Sequence, residues 1–114
     1  MSSRQPRVLV TQETNLNFMP AEKFGEIRFL AREDVSNIQK SLHNEKLVTH
    51  IRGGLAEYDN DNDFIVIAGS PYVAALVFLM LGREGYRSVK VLRWDNRSFE
   101  YIPMMIEMRG TYRE

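Results

Sequence analysis

Apolar and polar positions along this chain change period from segment to segment, and each period predicts an element. Residues 7–11 carry Val8, Leu9 and Val10 without interruption, the run expected of a strand covered on both faces. Residues 25–30 set Ile27 and Leu30 against Glu26 and Arg28 and read as a second strand. The connection between them, residues 12–24, is long for a small domain, and such connections are often functional or locally packed. Farther on, Leu47, Ile51, Leu55 and Tyr58 fall four, four and three apart, with Val35, Ile38 and Leu42 at similar spacing upstream. That stripe predicts an amphipathic helix over residues 35–58, with a break near 41–44. Gly53 and Gly54 sit inside it and cost about 1 kcal/mol each relative to Ala, which points to close packing against a sheet or to a local kink.

Residues 64–82 contain no charged side chain, a run of nineteen. A membrane-spanning helix needs about 20 mainly apolar residues. Here Gly69, Ser70 and Pro71 interrupt the run, after the β-branched and aromatic stretch Phe64-Ile65-Val66-Ile67. Pro belongs in the first turn of a helix and Ser just before it as a cap. A buried strand over residues 64–68, a tight turn and a buried helix over 71–82 therefore explain the run better than a membrane span. Gly82 and Gly85 bracket the end of that helix, as C-terminal caps prefer. Residues 88–94 and 99–108 read as two further strands around a turn at 95–98, and Pro103 pushes the last one to a sheet edge or a bulge.

The resulting order is β-β-α-β-α-β-β in one α/β domain covering residues 1–114, with 1–6 and 109–114 expected to fray. Alternation of helices and strands predicts that the second, third and fourth strands are parallel, with right-handed crossovers. The expected architecture is a small Rossmann-like, mostly parallel sheet that ends in an antiparallel edge hairpin.

Composition removes several function classes. Fifteen Lys or Arg balance fifteen Asp or Glu, with 44% apolar and 26% charged residues in 114. That is an ordinary globular balance, neither a disordered tail nor a strongly basic nucleic-acid binder. There is no Cys, hence no disulfide, thiolate metal site or Cys nucleophile. The first seven residues lack the apolar core of a secretory signal, so the expected location is the cytoplasm. Asp59-Asn60-Asp61-Asn62-Asp63 begins like a calcium loop, but Phe64 stands where that loop needs Gly and Ser70 where it needs Glu; a solvated turn is the expectation. His43 and His50 lie seven apart, about 10.5 Å along a helix, too far to chelate one metal. Arg outnumbers Lys eleven to four, but the C-terminal arginines interleave with carboxylates, which favours surface ion pairs over phosphate binding. No catalytic, cofactor or metal constellation emerges.

Two candidate surfaces remain. In open α/β sheets ligands bind beyond the carboxyl ends of strands, and a helix N-terminus there favours an anion. Gly69 and Ser70 occupy such a place, and Gln12, Glu13 and Asn15 after the first strand, with Trp94 and Asp95 after the fourth, would share that edge. The bland reading is a turn glycine, a capping serine and solvated loops. The second surface is the last hairpin: Trp94, Phe99, Tyr101, Met104 and Met105, with Met108 beyond, would present aromatic and flexible apolar groups on an edge strand. Its bland reading is cross-strand pairing over the core. The first surface implies a small-molecule or nucleotide-binding domain, the second a module that binds a protein partner or a second copy of itself.

The stretch Asp63-Phe-Ile-Val-Ile-Ala-Gly-Ser-Pro-Tyr-Val-Ala-Ala-Leu, with Val89-Lys-Val-Leu-Arg-Trp-Asp, Tyr101-Ile-Pro, the Gln12-Glu13 pair and Phe24-Gly25, resembles a group of short, uncharacterised phage-encoded α/β proteins. In that group a strand ending in Gly-Asp-Pro precedes a small-residue helix, and a strand ending in Lys/Arg-Trp-Asp precedes the final strand. Ser70 stands here in place of the usual Asp, which takes a carboxylate away from the candidate edge. The resemblance implies a phage or prophage origin and action inside a bacterial host.

Overall fold

The uncharged tract bends at its centre. In the computed structural model, which describes residues 4–37 and 42–108, Phe64–Val66 is a strand and Pro71–Arg83 a helix. Gly69 makes the turn at φ +76°, and Ser70 caps the helix by accepting the N–H groups of Tyr72 and Val73. No helix among the described residues is long and apolar enough to cross a membrane.

The elements in chain order are β1 (Arg7–Val10), a 3-10 helix (Met19–Phe24), β2 (Glu26–Phe29), α1 (Leu42–Leu55), β3 (Phe64–Val66), α2 (Pro71–Arg83), β4 (Ser88–Asp95) and β5 (Glu100–Glu107). They form one five-stranded sheet in the order β2-β1-β3-β4-β5. β1 is parallel to β2 and to β3, and β3 to β4, so the parallel set includes the first strand as well as the three expected. β5 returns antiparallel to β4 as the outer strand.

Strand alternation sends successive side chains to opposite faces, and two clusters result. Leu9, Ile65, Val89 and Val91 pack under α1 and α2 with Leu47, Ile51, Val73, Val77 and Leu81. Val8, Val10, Val66 and Leu92 pack on the other face with Phe18 and Ala21 of the 3-10 helix segment and with Tyr101. The long first connection is thus locally packed. Gly25 follows it, where a Cβ would strike the backbone of Pro6.

Three boundaries differ from expectation by more than one residue. The first long helix starts at Leu42 rather than Val35. Asn44 accepts the Ser36 N–H and donates to the Ser36 carbonyl, and His43 Nε2 lies 2.7 Å from the Asp34 carbonyl, so side chains of the first helical turn hold residues 34–36 outside it. Of the break expected at 41–44, residue 41 lies outside the described residues, while 42–44 are already helical. The same helix ends at Leu55 rather than Tyr58, and it runs unbroken through Gly53 and Gly54, the latter facing Leu30. β3 stops at Val66 rather than Ala68 because the Thr11 hydroxyl takes both backbone groups of Ala68, donating to its carbonyl at 2.8 Å and accepting its N–H at 2.9 Å. Residues 1–3 and 109–114 lie outside the described residues; within the lead-in expected to fray, Arg4 is pinned by Asp63.

Candidate functional site

β1 sits between β2 and β3; the connection leaving β1 runs to β2 over one face and the one leaving β3 runs through α2 to β4 over the other, so the strand order reverses between β1 and β3. A crevice at the carboxyl ends of two such strands is the usual ligand position. Here it is occupied by the chain itself. Gln12, directly after β1, places Oε1 2.5 Å from the Ser70 N–H, which it accepts. Gly69 is required beside it, since a Cβ there would overlap the Gln12 carboxamide. Ser70 Oγ accepts the next two helix N–H groups, and Thr11, fully buried, closes the floor. The donors that would greet an anion at the start of α2 are therefore answered by protein oxygens.

The other residues assigned to this edge take separate roles. The Glu13 N–H bonds the Ala31 carbonyl, and the Glu13 carboxylate pairs with Arg32 at 3.1 Å. Asn15 is exposed on the first connection. Trp94 and Asp95 are the last two residues of β4, at the β4–β5 turn. Asp95 accepts the Ser98 hydroxyl at 2.6 Å and the N–H groups of Ser98 and Arg97, and these bonds, the hydroxyl first, hold its carboxyl below the usual carboxylate range. Gln12, Gly69 and Ser70 are thus brought together, while Glu13, Trp94 and Asp95 are engaged elsewhere.

The turn also builds the aromatic cluster. Trp94 stands edge-on to Tyr101, its cross-strand partner, with centroids 5.0 Å apart, and to Phe99 at 6.5 Å. Trp94 Nε1 donates to Asn96. Phe99 closes the turn at φ +56° and is 71% exposed; a left-handed non-glycine residue costs about 1–2 kcal/mol. Burial raises the Tyr101 hydroxyl pKa. Beyond the turn, Ile102, Met104, Met105 and Ile106 are 47%, 40%, 51% and 48% exposed.

Two features escaped the sequence reading. Asp63, the last residue of the expected solvated turn, is 0% exposed. It takes both guanidinium nitrogens of Arg4 at 2.7 and 3.1 Å and the N–H groups of Arg7 and Asp59 at 2.9 Å. That bond to Asp63, before the surrounding charges, lifts the Arg4 pKa. In the rest of the turn Asp59 accepts the Asp61 N–H and the Asn62 side-chain amide, and Asp61 and Asn62 are exposed. The second feature is a groove of about 700 Å³ between β2 and α1, bordered by Arg28, Arg32 and Lys46 with His43 and His50. It does not involve Gly69 or Ser70.

The family profile described as Phage Pam3 gp32-like protein matches residues 4–108. The chain belongs to that family. The match takes in all five strands and both helices, and it supports the phage origin that the Gly-Ser-Pro and Arg-Trp-Asp motifs imply. Among curated proteins and among solved structures the comparison finds no significant match.

Proposed function

We propose that this phage protein is a small accessory factor that works inside the host cell by binding another protein chain, with β5 and the aromatic β4–β5 turn as its contact surface. One observation carries the reading: β5 is the outermost strand, with no described strand on its far side, and displays Ile102, Met104, Met105 and Ile106 at 40–51% exposure. Edge strands in monomeric proteins usually carry charge, proline or a bulge that discourages pairing, and between Glu100 and Glu107 this one carries no charge. The strand order supports the Rossmann-like reading of the fold. The alternative function, an anion-bearing small molecule beyond β3, has its location in favour and Gln12 against it, since a ligand must displace the carboxamide from Ser70.

Affinity capture from host cells, run beside a thermal-shift screen with phosphate and nucleotides, separates the two. The expected result is capture by the wild-type chain, loss of capture with Ile102→Lys/Ile106→Lys, and no ligand-dependent shift. A shift with phosphate or a nucleotide that disappears in Ser70→Ala, with capture indifferent to the charged edge, moves the function to the crevice.

A further inference from the structure

The geometry of β5 also says which chain completes it, an inference that rests on β5 being a protein contact. Antiparallel ladders alternate between pairs that exchange both backbone bonds and pairs that exchange none. The Met108 N–H bonds the Arg87 carbonyl at 2.7 Å, and with the register Val89↔Ile106, Val91↔Met104 and Arg93↔Ile102 this turns the even-numbered backbone groups of β5 toward β4. Those of Tyr101, Pro103 and Met105 face away from β4, where no described strand meets them and Pro103 offers a carbonyl and no N–H.

Between Glu100 and Glu107 no residue of β5 carries a charge. Ile102, Met104 and Ile106 share the face of Val89 and Val91, while Pro103 and Met105 share the other. A strand added here must be apolar on both faces. The opposite edge of the sheet, β2, fails this because Glu26 and Arg28 alternate along it. β5 itself meets it.

We propose that two copies of this chain join by antiparallel β5–β5 pairing with Met104 on the two-fold axis, extending each five-stranded sheet into one of ten. In this register Ile102 lies opposite the partner's Ile106, and Met104 opposite the partner's Met104, so the apolar stripe is continuous across the axis. Pro103 faces the partner's Met105, which leaves each missing proline donor in a separate pair. Moving the axis to Pro103 sets the two prolines against each other, and moving it to Met105 carries Tyr101 past the end of the partner's β5.

The chain has no cysteine, so introduced thiols report the register. Opposed residues of a non-bonded antiparallel pair sit about 4.5 Å apart at Cα, within disulfide reach. Met104→Cys is expected to oxidise to a covalent dimer at least about tenfold faster than Ile102→Cys, whose twin lies about 13 Å along the partner strand; Ile102→Cys/Ile106→Cys is expected to cross-link as readily as Met104→Cys. Light scattering is expected to give twice the 13.3 kDa chain mass for the wild type and the single mass for Ile102→Lys/Ile106→Lys. A monomeric wild type overturns the self-pairing, and if host-protein capture still depends on Ile102 and Ile106 the β5 contact survives without it; a dimer in which Met104→Cys has no advantage over Ile102→Cys overturns the register. If the chain is monomeric and capture ignores the edge charges, both proposals fall.

Discussion

The seam between β1 and β3 and the free edge of β5 treat backbone polarity in opposite ways. Along the seam every end is answered: Asp63 accepts the Arg7 N–H at the amino end, and Thr11 and Gln12 take Ala68 and Ser70 at the carboxyl end. Along β5 no described strand pairs with the outer backbone groups of Tyr101, Pro103 and Met105, and Ile102, Met104, Met105 and Ile106 are 40–51% exposed. Buried polar groups cost free energy unless paired, so the seam has to be closed by the chain itself. An edge strand is under no such demand in water, and its apolar side chains are where a second chain gains burial. The crevice that a parallel sheet usually reserves for a ligand is the completed region here, and the edge is the unfinished one.

The comparison predicts a descending series of effects. Asp63→Ala removes the carboxylate that Arg4 pairs with and strands the N–H groups of Arg7 and Asp59; at about 1–3 kcal/mol for each unsatisfied N–H, urea titration is expected to show a stability loss of about 3–5 kcal/mol. Thr11→Val keeps the shape and strands the N–H and carbonyl of Ala68, for about 2–3 kcal/mol by the same measurement. Tyr58 supplies a pH test of the interior. Its hydroxyl bonds Asn60 at 2.6 Å, its ring packs edge-on to Tyr86, and burial pushes its pKa up to about 12. The folded state holds this proton more tightly than the unfolded chain, whose tyrosine titrates near 10. The contribution is therefore full below pH 10 and is lost as pH rises toward 12, about 2 kcal/mol in all; Tyr58→Phe is expected to flatten that alkaline step. Phe99→Gly removes the left-handed strain and one aromatic contact together, with a net change within about 1 kcal/mol. The smallest effect on folding belongs to Ile102→Lys/Ile106→Lys, within about 0.5 kcal/mol for exposed sites when measured at chain concentrations dilute enough to keep the wild type monomeric; a loss of several kcal/mol under those conditions would mean that the edge belongs to the core.

Much of the fold was legible because it depends on local signals. Pro71 after Ser70 marks the start of α2, Phe64-Ile65-Val66 announces a buried strand, and Pro103 consigns β5 to an edge. The site was legible only in part. Gly69 and Ser70 were placed correctly at a strand end, but nothing in the sequence says that Gln12, fifty-eight positions from Ser70, fills the space between them. Asp63 sits in a row of alternating Asp and Asn, and no local pattern distinguishes the buried one from its solvated neighbours. Arg4 had no signal either, since its partner is fifty-nine residues away.

By itself the sequence determined the kinds of elements, their order and the apolar, uncharged character of the last strand, since period, capping and β-branching act over a few residues. Tertiary structure decided the strand order, the closure of the β1–β3 crevice, the burial of Asp63 and the exposure of β5. Those outcomes depend on which distant segments meet in space, and the free energy that settles them lies in desolvation and pairing across the sheet rather than in any stretch of chain alone.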